Sequence, residues 1–224
     1  MAHRGSGSVV RALTPRSTRS LKANWTAKER RILQKLRTPA HIQQFLDELP
    51  YDERGGAVSP RGVMRNGKAQ CYSGVLFASA ALRELGYRPQ MMWIDAVEDD
   101  GHALALYQVG KLWGSVAKSN FTGIRSREPI YPYLALGLSY FDGFFNQYGK
   151  RTMRGFTVPV DLEQFEPRGW RFDAGDMQYV DDAIDTAQRE WVLPRKARVS
   201  NVSEAIRKAG LMGANPQGLW QRGD

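Results

Sequence analysis

The segment from Cys71 to Gly86 constrains the fold more than any other part of this 224-residue chain. Its apolar side chains lie at nearly every angle around a helix instead of along one stripe, so we expect a helix that is buried centrally. Gly86 is a suitable C-terminal cap, and the turn-rich sequence before Cys71 indicates a loop. Because the chain's single cysteine begins this helix, the predicted fold and the predicted site depend on the same residues.

Helices and strands are predicted on both sides of this segment. Thr26 and Glu29 have the spacing of a capping box, which opens a basic helix. Thr38 followed by Pro39 is a cap residue followed by proline at the first helical position, which predicts a second helix that ends before Pro50. The sequence further predicts a loop over 51–70, strands over 90–97, 102–108 and 111–118, and helices over 132–148, 181–190 and 203–210.

The second and third predicted strands form a hairpin. A two-residue turn at Val109-Gly110 joins them, because glycine is favoured in such turns. Pairing outward from this turn puts His102 opposite Ala117, with Ser119 on the same face as Ala117.

The positive charge of the chain is concentrated near its N-terminus. The chain has 32 Lys+Arg against 23 Asp+Glu, a net charge of +9. Residues 1–24 contain five of the basic residues and no acidic one, which leaves 27 − 23 = +4 for the rest. We interpret residues 1–24 as a basic flexible leader and residues 25–224 as a single domain.

The composition excludes several classes of protein. One cysteine excludes a disulfide framework and a multi-cysteine zinc cluster, and three histidines leave little for a metal site, so we expect no metal and no other cofactor. No apolar run reaches the ~18–20 residues that a membrane span needs, and the N-terminus lacks the apolar region of a secretory signal. The sequence therefore predicts a cytoplasmic protein that does not bind a membrane.

Cys71 is the candidate nucleophile. A thiol at a helix N-terminus is close to the positive end of the helix dipole and to unpaired backbone N–H groups, and both favour the thiolate. The backbone N–H of Cys71, with the side chains of Gln70 and Asn66, could stabilise an oxyanion formed beside the sulfur. The alternative interpretation is a small buried cysteine with a packing role only.

His102 is the candidate base. It opens a strand of small apolar residues and could take the proton of a neighbouring thiol. The other two histidines are His3, in the leader, and His41, on the polar side of a helix. We therefore expect a thiolate–imidazolium pair between Cys71 and His102, with fast alkylation of the thiol near pH 6–7.

These segments resemble the transglutaminase-like branch of the papain-like cysteine enzymes. That family has Gln-Cys-aromatic at the start of a long buried helix that ends in Leu-Arg-x-x-Gly, then a strand and a hairpin that carries the histidine. The corresponding residues here are Gln70-Cys71-Tyr72, Leu82-Arg83-Glu84-Leu85-Gly86 and Gly101-His102-Ala103. The resemblance covers a core of about residues 64–120. It implies an α+β fold of papain-like type, in which a central helix with Cys71 at its N-terminus packs on an antiparallel sheet, with extra helices around it.

The sequence departs from this family at the residue that orients the histidine. The family has an aspartate opposite the histidine in the hairpin, whereas the register above gives Ala117. Ser119 or Asn120 could accept the imidazole N–H instead. A carboxylate of the neighbouring strand or turn, from Asp95, Asp99 or Asp100, is a further alternative, and a broken triad is the last one.

The resemblance implies a thiol-dependent acyl-transfer enzyme, a cysteine hydrolase or acyltransferase, that acts on a peptide, amide or thioester. The alternative is a catalytically inactive transglutaminase-like binding module, which a sluggish thiol would reveal. Nucleic-acid binding through the leader and helix 26–37 is disfavoured, since Glu29 interrupts the basic residues and no module that reads DNA or RNA is present. The sequence specifies no oligomeric state.

Overall fold

A computed structural model describes residues 24–53, 56–175 and 177–223 of the protein. The helices are α1 (Ala27–Leu33), α2 (Pro39–Glu48), α3 (Pro60–Asn66), α4 (Cys71–Glu84), α5 (Tyr133–Leu138), α6 (Gln178–Thr186) and α7 (Glu204–Gly210). The strands are β1 (Gln90–Ala96), β2 (His102–Val109), β3 (Leu112–Val116), β4 (Arg127–Tyr131), β5 (Met153–Thr157), β6 (Val160–Asp161) and β7 (Arg189–Trp191). Apart from Asn24, the predicted leader lies outside the described residues.

One antiparallel sheet forms the centre of the described structure. Its strands follow the order β4-β3-β2-β1-β5-β7, and β6 pairs with β1. Helix α4 packs against β2, and α2 and α3 pack against α4. The α+β class is therefore confirmed. No helix of the described residues is both long and apolar enough to cross a membrane.

Helix α4 has the position that its sequence predicts. Every residue from Tyr72 to Leu82 is buried, because the helix is enclosed by the sheet on one side and by other helices on the other. The side-chain oxygen of Gln70 caps the helix by accepting the backbone N–H of Tyr72 at 2.6 Å. Cys71 is the first residue of the helix, as predicted.

Several other predictions about the secondary structure are wrong. The predicted loop over 51–70 contains α3, which Ser59 and Pro60 begin in the way that Thr38 and Pro39 begin α2. The predicted helix over 132–148 ends at Leu138, since the aromatic side chains that follow enter the core from irregular backbone. Strands β4, β5, β6 and β7 are short and are not predicted by the sequence, and the helix predicted over 181–190 ends at Thr186, before β7.

The predicted hairpin register is wrong by two residues. Val109 pairs with Leu112 and Ala105 with Val116, so the turn consists of Gly110-Lys111. Gly110 has a φ of +61° and takes the first turn position, where a left-handed backbone favours glycine. Continued in this register, the residue opposite His102 would be Ser119 instead of Ala117, but β3 ends before it, at Val116.

At Gly74, helix α4 is in close contact with the segment after β3. A Cβ atom on Gly74 would lie 2.5 Å from the Cβ of Lys118. Lys118 cannot move away freely, because its buried Nζ donates to the carbonyl oxygens of Leu46 (2.8 Å) and Leu49 at the end of α2.

We therefore expect the substitution Gly74→Ala to destabilise the protein. Alanine normally favours a helix by about 1 kcal/mol over glycine, but overpacking of this kind costs about 1–3 kcal/mol and is expected to outweigh that gain. Urea unfolding monitored by tryptophan fluorescence measures the difference. A Gly74→Ala variant more stable than the wild type would contradict the close contact.

Candidate active site

A cavity of about 670 Å³ opens beside the N-terminus of α4. Its walls come from the segment before α3, the connection between β1 and β2, the segment after β3, helix α6 and the C-terminal segment. Cys71 and His102 both line it. The structure therefore brings the two predicted catalytic residues, from α4 and β2, to one cavity.

The Cys71 residue is half-buried and its thiol is uncharged at neutral pH. Burial raises the pKa of this thiol to about 11, and the negative charge of Asp100 acts in the same direction. Hydrogen bonds from the backbone N–H groups of Ala103 and Tyr72 and from the Tyr51 hydroxyl oppose this rise. The sulfur is thus surrounded by donors, but the desolvation of the anion is the larger effect.

The His102 ring is held by a backbone carbonyl. Its Nε2 lies 2.9 Å from the carbonyl oxygen of Ile124. A carbonyl only accepts hydrogen bonds, so Nε2 carries the hydrogen and Nδ1 keeps the lone pair that can accept a proton. The ring is 4% exposed and contacts the Phe144 ring edge-on at a centroid distance of 6.2 Å. Burial lowers the pKa of His102 to about 4.

The structure does not favour the predicted thiolate–imidazolium pair. With the pKa of Cys71 near 11 and that of His102 near 4, both groups are neutral at pH 7. The physical reason is that a site with little water disfavours the charged form of each group, which outweighs the helix dipole. Fast alkylation of the free protein near pH 6–7 is accordingly not expected.

The hydrogen bonds of Ser119 and Asn120 do not go to His102. Ser119 Oγ accepts the backbone N–H of Phe121 at 2.9 Å. The amide of Asn120 binds the C-terminal segment: it donates to the carbonyl oxygens of Asn215 (3.1 Å) and Gly218 (2.8 Å) and accepts the N–H of Asn215 (3.0 Å). Both residues line the cavity, but Ile124 has the orienting position that we predicted for them.

The three aspartates considered as alternatives also have other partners. Asp95 pairs with Arg189 at 3.4 Å, and Asp99 accepts the Thr152 hydroxyl at 2.6 Å. Asp100 acts on Cys71 through its charge. No bond that the structure shows joins any of the three to the imidazole ring.

The two side chains predicted to stabilise an oxyanion differ in position. Gln70 lines the cavity, where its oxygen caps α4 and its Nε2 donates to the carbonyl oxygen of Gly56 at 3.0 Å. Asn66 is exposed at the end of α3 and is not part of the cavity wall. The structure therefore does not bring Asn66 to the cavity, because the chain passes through the Gly67 cap of α3 before it reaches Cys71.

Tyr51 is a site residue that the sequence analysis missed. Its hydroxyl lies close enough to the thiol and the backbone N–H of Cys71 for each to shift the pKa of the hydroxyl, and the hydroxyl lowers the pKa of the thiol. Gly218 crosses the Tyr51 ring so closely that a Cβ there would lie 2.6 Å from it. Tyr51 is thus held against the sulfur by the C-terminal segment, and only the fold brings these parts of the chain together.

The neutral ring of His102 makes stability depend on pH. The unfolded chain binds the ring proton near pH 6.5 and the folded protein only near pH 4, so the free energy of unfolding falls as the pH falls between these values. Asp99 has the opposite effect. Burial raises its pKa from 3.8 to about 7, so the folded protein binds this proton more tightly and the free energy of unfolding falls as the pH rises.

We expect single substitutions of His102 and Asp99 to show their opposite effects on the pH dependence of the free energy of unfolding. Relative to the wild type, His102→Gln removes a slope of about +1.4 kcal/mol per pH unit between about pH 4.5 and 6, and Asp99→Asn removes a slope of the same size and opposite sign. Denaturant unfolding at several pH values measures both slopes. If the two variants shift the slope in the same direction, the assigned protonation states are wrong.

Comparison with known proteins gives no family assignment. No protein-family model matches the chain, and no curated protein is significantly similar to it. In the described ranges, no group of three or more His, Cys, Asp or Glu side chains has a geometry that could hold a metal ion. The chemistry of the cavity is therefore derived from its own residues.

Proposed function

We propose that the protein is a thiol-dependent acyl-transfer enzyme with a transglutaminase-like variant of the papain-like fold. One observation carries the proposal: the chain's single cysteine and a buried histidine line the same cavity, and the histidine is held so that its free nitrogen can accept a proton. The substrate is a peptide, amide or thioester. A free thiol suits a reducing compartment, so the cytoplasm is the proposed location.

The first half of the reaction forms an acyl-enzyme. Because both groups start neutral, His102 Nδ1 takes the thiol proton while Cys71 Sγ attacks the carbonyl carbon, and the S–C bond forms as the carbonyl π electrons move to oxygen. The Tyr51 hydroxyl and the backbone N–H of Cys71, which interact with each other in the free protein, donate to that oxygen instead and stabilise it. The intermediate then collapses, the bond to the amine or thiol breaks, and the imidazolium protonates the leaving group.

The second half of the reaction releases the acyl group. His102 Nδ1 removes a proton from water or from an amine, which attacks the thioester carbon of the acyl-enzyme, and the Cys71 thiol leaves with that proton. Water gives a carboxylic acid, and an amine gives a new amide. Hydrolysis and transamidation therefore use the same residues.

A binding module without catalysis is the second candidate function. The observation that favours it is the high pKa of Cys71, to which Asp100 contributes, since a thiol with a raised pKa is a poor nucleophile. In such a protein the cavity would bind a ligand without covalent chemistry.

Turnover of a substrate panel distinguishes the two functions. The panel contains p-nitrophenyl esters and peptide p-nitroanilides whose acyl parts are cationic, neutral and anionic. We expect release of the chromophore by the wild type above the buffer rate, and none by Cys71→Ala. Equal rates for the wild type and Cys71→Ala would overturn the enzyme proposal.

A further inference from the structure

The cavity is acidic although the protein is basic. The chain carries a net charge of +9, but among the described residues that line the cavity one basic side chain, Arg189, accompanies seven acidic ones. The acidic residues are Asp52, Glu53, Asp95, Asp99, Asp100, Asp181 and Asp185. Lys68 pairs with Asp52 at 3.1 Å and Arg189 with Asp95 at 3.4 Å, and burial raises the pKa of Asp99 to about 7, so this carboxyl is partly protonated at neutral pH.

Asp181 and Asp185 place two like charges on α6, although Asp181 itself is in the first turn, where the helix dipole favours an acidic residue. They are one helical turn apart on α6, where like charges repel each other. Asp185 is also in the last turn, where a negative charge meets the negative end of the helix dipole. Neither carboxylate makes a salt bridge with any residue that the structure describes. The dipole of α6 therefore favours Asp181 and disfavours Asp185, which is exposed to solvent.

Tyr72 gives a second indication of a ligand beside these carboxylates. Its side chain is buried, with the residue 8% exposed, and its hydroxyl has no hydrogen-bond partner within normal distance among the described residues. Tyr72 lines the cavity, and burial is the largest cause that raises the pKa of its hydroxyl. The next cause is a long hydrogen-bonding interaction with Asp181, followed by the charges of Asp181 and Asp185, so the hydroxyl faces the carboxylates of α6. A buried polar group without a partner is costly unless something that enters the cavity binds it.

We propose that the cavity selects a substrate that carries a positively charged side chain, and that Asp181, Asp185 and the Tyr72 hydroxyl bind the charged group. This inference rests on the proposed function, since the same cavity holds the acyl group that Cys71 attacks. The chemistry recognised is an alkylammonium or guanidinium group, as in a lysine or arginine side chain. An ammonium group can donate to both carboxylates and to the Tyr72 oxygen.

The rest of the cavity suits a cation on an aliphatic stem. Aromatic side chains also line the cavity, and they include Tyr51, Tyr72, Trp93 and Phe144. The Tyr72 ring packs edge-on against Trp93 with a centroid distance of 6.3 Å. Lysine and arginine cover such apolar surface with their methylene groups and keep the charge at the end. Tyr72 follows Cys71 directly in the chain. Because a tyrosine side chain is about as long as a lysine side chain, the Tyr72 hydroxyl is about one lysine side chain away from the backbone next to Cys71.

Binding measured without catalysis tests this inference separately. We would titrate Cys71→Ala, which cannot form an acyl-enzyme, with N-acetyl-lysine methylamide and N-acetyl-arginine methylamide by calorimetry at low salt. N-acetyl-norleucine methylamide has nearly the shape of the lysine ligand without the charge, and 1,4-diaminobutane carries the charge without the amide. We expect the lysine ligand to bind at least about tenfold more tightly than the norleucine ligand, and added salt to reduce the difference.

Variants of α6 assign the binding to the proposed residues. The pair Asp181→Asn and Asp185→Asn is expected to remove most of the preference for lysine. Asp182→Asn is the matched control, because Asp182 is exposed on the same helix and does not line the cavity. Equal affinity for lysine and norleucine ligands, or an equal effect of Asp182→Asn, would overturn the inference.

The outcomes also distinguish this inference from the proposed function. Turnover of neutral esters without a preference for cationic ligands would leave the enzyme in place and reject the cation site. A preference for lysine in a protein without turnover would support the cation site and reject catalysis. Binding of 1,4-diaminobutane as tight as that of the lysine ligand would support a cation site whose source is a free amine.

Discussion

The substitution His102→Gln is expected to lower the rate of Cys71 acylation by about 10²–10⁴-fold, the usual contribution of a general base. The Nε2 atom of glutamine can donate to the Ile124 carbonyl as the His102 ring does, but glutamine cannot take the thiol proton. Because the thiol has a pKa of about 11, almost none of it is ionised at neutral pH without a base. Stopped-flow release of p-nitrophenol from an ester measures the acylation rate directly.

A second histidine provides the control for this experiment. His41 is exposed on α2 and lies outside the cavity, so His41→Gln should leave the acylation rate unchanged. Raising the pH should restore part of the rate in His102→Gln, since the thiolate then forms without help. An acylation rate in His102→Gln within a few-fold of the wild type at pH 7 would remove His102 from the mechanism.

The substitution Tyr51→Phe is expected to lower the acylation rate by about 10²-fold, as the loss of one donor to an oxyanion does in other acyl-transfer enzymes. The hydroxyl lies beside Cys71, and removing it leaves the backbone N–H of Cys71 as the remaining donor to the oxyanion. The aromatic ring, which packs against Gly218, is kept. Since the interaction strengthens in the transition state, kcat should fall while KM changes little.

Whether the substitution changes kcat, KM or stability distinguishes a role at the oxyanion from a purely structural role. Tyr87→Phe is the matched control, because Tyr87 contacts Tyr107 and does not line the cavity. If Tyr51 served only to pack the C-terminal segment, Tyr51→Phe would lower the unfolding midpoint or raise KM. A normal kcat in Tyr51→Phe would contradict its role at the oxyanion.

The parts of the fold that the sequence predicted are those with local signals. Thr26 and Thr38 cap α1 and α2 as their neighbours in sequence indicate, and the apolar run after Cys71 forms the buried helix. The hairpin was predicted but its register was not, because Gly110 can take either turn position by composition alone. Only the observed pairing of Val109 with Leu112 decides between the two registers.

The candidate site was predictable only where a side chain carries the chemistry. Cys71 and His102 are reactive residue types at recognisable positions, and both line the cavity. The group that orients His102 is a backbone carbonyl, which leaves no signal in the side-chain sequence. Tyr51 and Asp181 reach the cavity through long-range packing, so their spacing from Cys71 along the chain contains no information about the site.

The mass of the protein during a single turnover tests the central claim most directly. The protein is mixed with a p-nitrophenyl ester, quenched in acid within the first turnover and measured intact, then digested to locate the added acyl group. We expect one acyl group per chain on Cys71, formed rapidly in the wild type and at least about 10²-fold more slowly in His102→Gln. Turnover without an adduct on Cys71, or an adduct that forms equally fast in His102→Gln, would contradict the claim that Cys71 and His102 act together as nucleophile and base.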